Sequence, residues 1–201
     1  VNQKAEGRGY GSIIAYADNG TVTLNAEVKA IDSGVSTASE KNKNRGAIAV
    51  NGGTINVNRN MEINGIGIFA TNKGSKINIG NSRTLTVNND AALVSSNEGE
   101  VNVGSGVIIN TAAGSNSSGS EKIAFYAADS KSKINFKGTA ANPVTINATG
   151  RGTLFVGSAS DFSSGAKYTG MKDVVINMNS NQATLGNFQD VGDLNLATFN
   201  S

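Results

Sequence analysis

The chain has 201 residues, a length for one ordinary domain, with no Cys, no His, one Pro, 25 Gly and 28 Asn. The missing Cys and His exclude disulfides, thiolate chemistry, His-ligated zinc or iron, and any Ser-His-Asp or Cys-His nucleophile. A net charge of +2 comes without the clustered Lys and Arg that nucleic acid or an acidic membrane surface requires, and no apolar run approaches the ~20 residues of a membrane-spanning helix.

Gly and Asn are poor helix formers, so long helices are not expected. Both suit turns that need positive φ. Short alternating runs of Ile and Val argue against disorder. One pattern recurs along the chain: a short apolar strand, a turn, an alternating strand, and a third strand ending in Asn. The first copy is Ile13–Ala17, turn Asp18-Asn19-Gly20, then Thr21–Leu24. The second is Ala47–Val50, turn Asn51-Gly52-Gly53, then Thr54–Val57. The third is Gly67–Ala70, turn Asn72-Lys73-Gly74, then Lys76–Ile79. The fourth is Ala92–Ser95, turn Asn97-Glu98-Gly99, then Glu100–Val103. The fifth is Ala124–Ala127, turn Asp129-Ser130-Lys131, then Lys133–Phe136. A sixth begins at Thr153–Val156, and a seventh at Thr184–Phe188 followed by Asp193–Leu196.

Apolar residues at i and i+2 mark a strand with one buried face. Val22/Leu24, Ile55/Val57, Ile77/Ile79, Val101/Val103 and Ile134/Phe136 are predicted to point inward. Thr23, Asn56, Asn78, Asn102 and Asn135 point outward, stacked above one another. The leading inward residues are spaced by 33, 22, 24 and 33, so the shortest value is one coil and the longer ones carry an insertion. The third strands end in Ile63-Asn64, Val87-Asn88, Ile109-Asn110, Ile146-Asn147 and Ile176-Asn177, with Ile31-Asp32 in the same place in the first coil. Asn and Asp tolerate left-handed backbone, and stacked Asn amides hydrogen-bond from layer to layer. Asp32, Asn64, Asn88, Asn110, Asn147 and Asn177 are therefore expected to form an internal ladder at a tight bend.

The predicted fold is all-β: a parallel β-solenoid of three strands per coil and about seven coils, each burying its inward face on its neighbour. At ~4.8 Å per strand the rod is roughly 30 Å long. The terminal strand Leu194–Phe199 reads as an open edge, so residues 1–201 are expected to be one segment of a longer rod. Insertions are expected at 33–45, 111–121 and 158–171, with a smaller one at Lys137–Pro143. The first two leave from the same corner, three coils or ~14 Å apart. In repeat proteins such insertions share a face that often binds. The candidate partner-binding residues are Ser39, Glu40, Lys41, Lys43 and Arg45; Asn116, Ser118 and Glu121; and Phe162, Lys167 and Tyr168. The aromatics of the 158–171 loop have a competing role, folding back on the rod.

β-Solenoid enzymes that cleave polysaccharides need paired carboxylates, or a Ca²⁺ cage with a basic residue. Asp129, Asp161, Asp173, Asp190 and Asp193 are scattered. Glu98 and Glu100 flank a turn whose counterparts are Lys73/Lys76 and Lys131/Lys133, an alternating-charge edge. The calcium-binding nonapeptide is absent. No catalytic residue, cofactor or metal is expected. Asn19-Gly20-Thr21, Asn116-Ser117-Ser118 and Asn147-Ala148-Thr149 match the glycosylation acceptor pattern, as expected by composition in such a chain.

Segments such as Gly46–Val57 and Gly65–Ile79 resemble passenger domains of monomeric (type Va) autotransporters, and most of all the very large fusobacterial outer-membrane adhesins. The resemblance is one of repeat style and composition, and covers nearly the whole chain. It implies a right-handed β-helix on the surface of a Gram-negative cell, continuous with further β-helix and a C-terminal translocator barrel. It also implies non-catalytic adhesion to a host surface receptor or glycan, or to another bacterium, with no nucleic-acid partner and no membrane insertion of this segment. The lack of Cys fits a chain that crosses two membranes unfolded. The alternatives are a polysaccharide lyase or tailspike-like hydrolase, and a purely structural spacer.

Overall fold

A computed structural model describes residues 13–31, 44–112, 123–150, 152–157, 168–179, 184–186 and 198–200. Among them there is no α-helix. The strands are β1 (Ile13–Asp18), β2 (Thr21–Leu24), β3 (Val28–Ala30), β4 (Asn44–Val50), β5 (Thr54–Val57), β6 (Met61–Thr71) and β7 (Lys76–Ile79). They continue with β8 (Thr84–Asn89), β9 (Leu93–Ser96), β10 (Glu100–Val103), β11 (Ile108–Ala112), β12 (Ile123–Ala127) and β13 (Lys133–Phe136). The last are β14 (Val144–Ala148), β15 (Thr153–Gly157), β16 (Tyr168–Thr169), β17 (Val174–Met178), β18 (Thr184–Gly186) and β19 (Thr198–Asn200), with a 3₁₀ turn at Met171–Asp173.

These strands stack in parallel sheets, consistent with a β-solenoid. The second strands form a six-stranded sheet in the order β16-β13-β10-β7-β5-β2. The first strands β1, β4, β6, β9, β12, β15 and β18 and the third strands β3, β6, β8, β11, β14, β17 and β19 belong to one larger sheet. It curls into a half-barrel. The two sets are joined because β6 serves both: Met61–Asn64 pairs as a third strand, and Ile66–Thr71 as the next first strand. Gly65 makes that continuity possible. Its φ is +143°, and a Cβ there would lie 2.2 Å from the Asn44 carbonyl oxygen.

The second-strand register is the predicted one. Val22, Ile55, Ile77, Val101 and Ile134 are successive partners. Ile55, Val57, Ile77, Ile79, Val101, Val103, Ile134 and Phe136 are buried. Val22 and Leu24 are half-buried against the core. Thr23, Asn56, Asn78, Asn102 and Asn135 face outward in one column. Each amide donates from Nδ2 to the Oδ1 below it: Asn78 to Asn56 (2.9 Å), Asn102 to Asn78 (3.1 Å) and Asn135 to Asn102 (3.1 Å). The Thr169 hydroxyl continues the column by donating to Asn135 Oδ1 at 2.8 Å.

The third-strand ladder differs from the expectation in place and in register. Asn64, Asn88, Asn110, Asn147 and Asn177 lie on outward, partly exposed strand positions, none of them left-handed. Alternation explains this: Ile63, Val87, Ile109, Ile146 and Ile176 take the inward positions. The ladder is also split in two. Asn88 donates to Asn64 (3.1 Å), but Asn110 pairs with Thr86 and donates to its hydroxyl (3.2 Å). From there the column runs through Asn147 (2.8 Å), Asn177 (2.7 Å) and Asn200 (2.8 Å). A two-residue offset keeps every inward side chain inward, so alternation cannot detect it. Asp32 lies outside the described residues. The Ala30–Ile63 register puts Ile31, not Asp32, in the place of Asn64, and Ile31 is exposed.

The left-handed Asn residues sit at another corner. Asn19, Asn51, Asn72 and Asn97, with φ between 48° and 71°, turn the chain from each first strand into the second. Asn51 Nδ2 donates to Asp18 Oδ1 (3.1 Å), and Asn72 Nδ2 to Asn51 Oδ1 (2.7 Å). The small insertion at Lys137–Pro143 is a tight turn in which Thr139 and Asn142 exchange backbone hydrogen bonds of 3.1 and 3.0 Å.

Candidate functional site

The 33–45 insertion joins β3 to β4 and the 111–121 insertion joins β11 to β12, so both enter the first-strand face at equivalent places. Ser39, Glu40, Lys41, Lys43, Asn116, Ser118, Glu121, Phe162 and Lys167 lie outside the described residues. Two candidates are described, and neither is a loop residue. Arg45 is the second residue of β4; it pairs with Ile13 and Ile66, and its Nη1 donates to the Asn44 carbonyl at 3.0 Å.

Tyr168 is fully buried, in the strand register of Ile134. Its hydroxyl donates to the Val156 carbonyl (2.7 Å) and lies 2.9 Å from that of Phe125. Burial pushes its phenol well above the ordinary tyrosine range. The ring meets Phe155 edge-on at 5.3 Å; Phe155 stacks on Phe125 at 4.9 Å, and Phe125 meets Phe136 edge-on at 6.2 Å. This side chain anchors the chain as it returns from the insertion at 158–167 and offers nothing to a partner. The sequence signal was its spacing of 34 from Ile134, close to the 33 between Val101 and Ile134.

The carboxylates along the turn and second-strand edge are engaged by neighbours. Glu98 accepts from Lys131 Nζ at 3.1 Å, and Glu100 lies 3.5 Å from Lys76 Nζ. Partial burial acts to raise the Glu100 pKa, but the Asn102 amide (2.9 Å) and the Lys76 ammonium outweigh it and hold the carboxyl below its usual value. Asp129 behaves likewise: desolvation is outweighed by the Ser132 hydroxyl (2.5 Å) and by the backbone N–H groups of Lys131 (3.1 Å) and Ser132 (2.9 Å). Asn97, Glu98, Asp129, Ser130 and Lys131 line a shallow open depression of about 340 Å³. Carboxylates so paired act as ion pairs and turn caps.

The outer face of the first-strand set carries a feature that sequence reading missed. Tyr16, Ile48, Phe69, Val94, Tyr126 and Val156 are successive register partners. The inward positions beside them are also apolar at Ala17, Ala49, Ala70 and Ala127, with the buried hydroxyl of Ser95 the exception. With both faces apolar there is no alternation to read. Tyr16 is 53 % exposed and Val94 only 9 %; the other four are partly exposed. Two residues further along, the column holds Asp18, Thr71 and Ser96, with Val50 and Ala128 at the rungs of Ile48 and Tyr126.

Comparison with protein-family models, with curated proteins and with solved structures returns no match.

Proposed function

We infer that the chain is a non-catalytic adhesin segment, a stretch of right-handed parallel β-helix displayed outside a Gram-negative cell and built from about seven coils of three strands. The observation that carries this reading is a parallel register that advances by one repeat at a time, with two polar insertions entering the same face three repeats apart. Right-handedness follows from the strong preference of parallel crossover connections for that hand. Side-chain amide columns on two faces stiffen the rod, because each layer's donors are satisfied by the layer below. A stiff rod with loops along one edge presents contacts away from a cell surface. The partner is a host receptor or glycan, or the surface of another bacterium, and the resembled passenger architecture adds a translocator barrel elsewhere in the parent chain.

Two deletions test this. Shortening the insertions within 34–42 and 114–120 spares Arg45 and Thr111, which belong to strands. The shortened protein is expected to keep its β-sheet circular dichroism. Its attachment to epithelial and bacterial surface extracts should fall at least about tenfold, a loss of about 1.4 kcal/mol. Undiminished attachment would assign the contacts elsewhere on the rod, and no attachment by the intact protein would make the segment a spacer.

A further inference from the structure

The geometry points to a second contact surface, on the rod itself: a binding track for an extended, β-linked polysaccharide along the column Tyr16–Ile48–Phe69–Val94–Tyr126–Val156. The inference takes its extracellular setting from the adhesin reading but does not depend on the insertion loops.

The column is the outer face of the first-strand sheet and spans five rungs, ~24 Å. The other outer faces are mostly Thr, Asn, Lys and Glu, with Ile31, Ile108 and Val175 as single apolar positions among them. Its aromatic members are not random in position. Tyr16, Phe69 and Tyr126 occupy every second rung, with Ile48 and Val94 between them and Val156 beyond. Two rungs are ~9.6 Å, which is close to the length of a disaccharide in an extended β-linked chain. Pyranose rings present an apolar C–H face to an aromatic ring and direct their hydroxyls sideways. The sideways partners are in place. Asp18, Thr71 and Ser96 lie two residues along the strands from Tyr16, Phe69 and Val94, where Ile48 and Tyr126 have Val50 and Ala128, and the corner amides of Asn51, Asn72 and Asn97 lie just beyond. They are already organised: Ser96 Oγ donates to Thr71 Oγ1 at 2.9 Å, and Asn97 Nδ2 to the same oxygen at 3.3 Å. Apolar platforms with a few fixed polar groups beside them are the usual make-up of a ligand site.

Other occupants fit less well. Ile13, Ile66 and Ile123 widen the patch on its far side, three residues along the strands. The patch is then roughly 24 by 10 Å, far short of the ~800 Å² per partner of a stable protein interface. An extended peptide repeats its side chains on one face every ~6.7 Å, out of step with aromatics ~9.6 Å apart. Lys and Arg are sparse along the track, so an acidic polymer has no charge partner beyond Arg45.

Titration calorimetry with cellohexaose and chitohexaose tests the track, with maltohexaose as an α-linked control. Either β-linked hexasaccharide is expected to bind, and the α-linked one at least about fivefold more weakly. Phe69→Ala, with Tyr16→Ala and Tyr126→Ala as separate variants, should each weaken binding about fivefold, the worth of one aromatic contact. These side chains point out of the core, and unchanged circular dichroism verifies the fold. Absence of binding, or binding indifferent to all three substitutions, overturns the proposal. So does a dimer in sedimentation that Phe69→Ala dissociates, which would assign the stripe to a second copy of the chain. Cell attachment measured alongside separates the two readings. Loop-dependent attachment without oligosaccharide binding sinks the track alone. Phe69-dependent oligosaccharide binding without cell attachment upholds the track and sinks the adhesin role.

Discussion

Tyr168→Ala is expected to cost about 3–5 kcal/mol of stability, the range for emptying a large buried aromatic site. The residue is fully buried among paired strands, whose ladder hydrogen bonds keep them from closing on the void. Its ring closes the aromatic cluster of Phe125, Phe136 and Phe155, which links two successive repeats. Because solenoid stability is a sum of nearest-neighbour terms, the damage should be local. Amide exchange should accelerate in β12, β13, β15, β16 and β17 and stay slow in β5, β7 and β10. Tyr168→Phe keeps the ring and loses only the hydroxyl. It leaves the Val156 carbonyl without that donor, at a cost of about 1–3 kcal/mol. Urea melts of both variants, followed by circular dichroism, check the order. A loop-borne Tyr168 would give nearly wild-type melts for both.

Asn102→Asp is expected to destabilise the chain by about 2–4 kcal/mol at neutral pH, more than Asn102→Ala. Asn102 is buried and sits mid-column. Its Nδ2 donates to Asn78 Oδ1 and to Glu100 Oε1, and its Oδ1 accepts from Asn135. A carboxylate keeps the last contact only. It turns an acceptor against Asn78 Oδ1 and sets a second negative charge beside Glu100. Burial and that neighbour both raise the pKa of the introduced group in the folded state. Its folded form then binds a proton more tightly than its unfolded form. The penalty is therefore absent below the unfolded carboxylate pKa, near about 3.9, and grows as pH rises through and beyond it. The difference in stability between variant and wild type, followed from about pH 3 to about pH 8, should shrink toward the acid end. A difference independent of pH would mean that the column does not hold Asn102 as described.

The sequence disclosed the repeat well because its main determinants are local. Ile-Asn-Ile and Val-Asn-Val triplets state which face is buried, and Asn-Gly or Asn-x-Gly states where the chain turns. The second-strand register, Val22 through Ile134, was legible for that reason. The third strands were legible as strands but not in register. Thr84, Thr86 and Asn88 are all outward and polar, so Asn110 has two equivalent partners on β8, and only packing selects Thr86. Left-handed Asn was expected where the strands end in Asn. It occurs instead at Asn19, Asn51, Asn72 and Asn97, where the turn itself demands positive φ. Tyr168 was hidden by its setting. A two-residue strand flanked by Ser, Gly and Lys shows no alternation, and only its distance from Ile134 betrays it. The apolar stripe was hidden by the opposite condition, since Tyr16-Ala17, Phe69-Ala70 and Tyr126-Ala127 are apolar on both faces of one strand.

The central claim is that consecutive repeats lie directly on one another, in register and in chain order. Because the chain contains no Cys, paired substitutions report on that order without interference. Lys76 and Glu100 are register partners, as are Glu100 and Lys133. Lys76 and Lys133 are two rungs apart, ~9.6 Å, beyond the ~7 Å reach of a disulfide. Mild oxidation should close a disulfide in Lys76→Cys/Glu100→Cys and in Glu100→Cys/Lys133→Cys, seen as loss of free thiol in the monomer. It should leave Lys76→Cys/Lys133→Cys reduced. An unbridged 76/100 pair, or a bridged 76/133 pair, would contradict the stacking order.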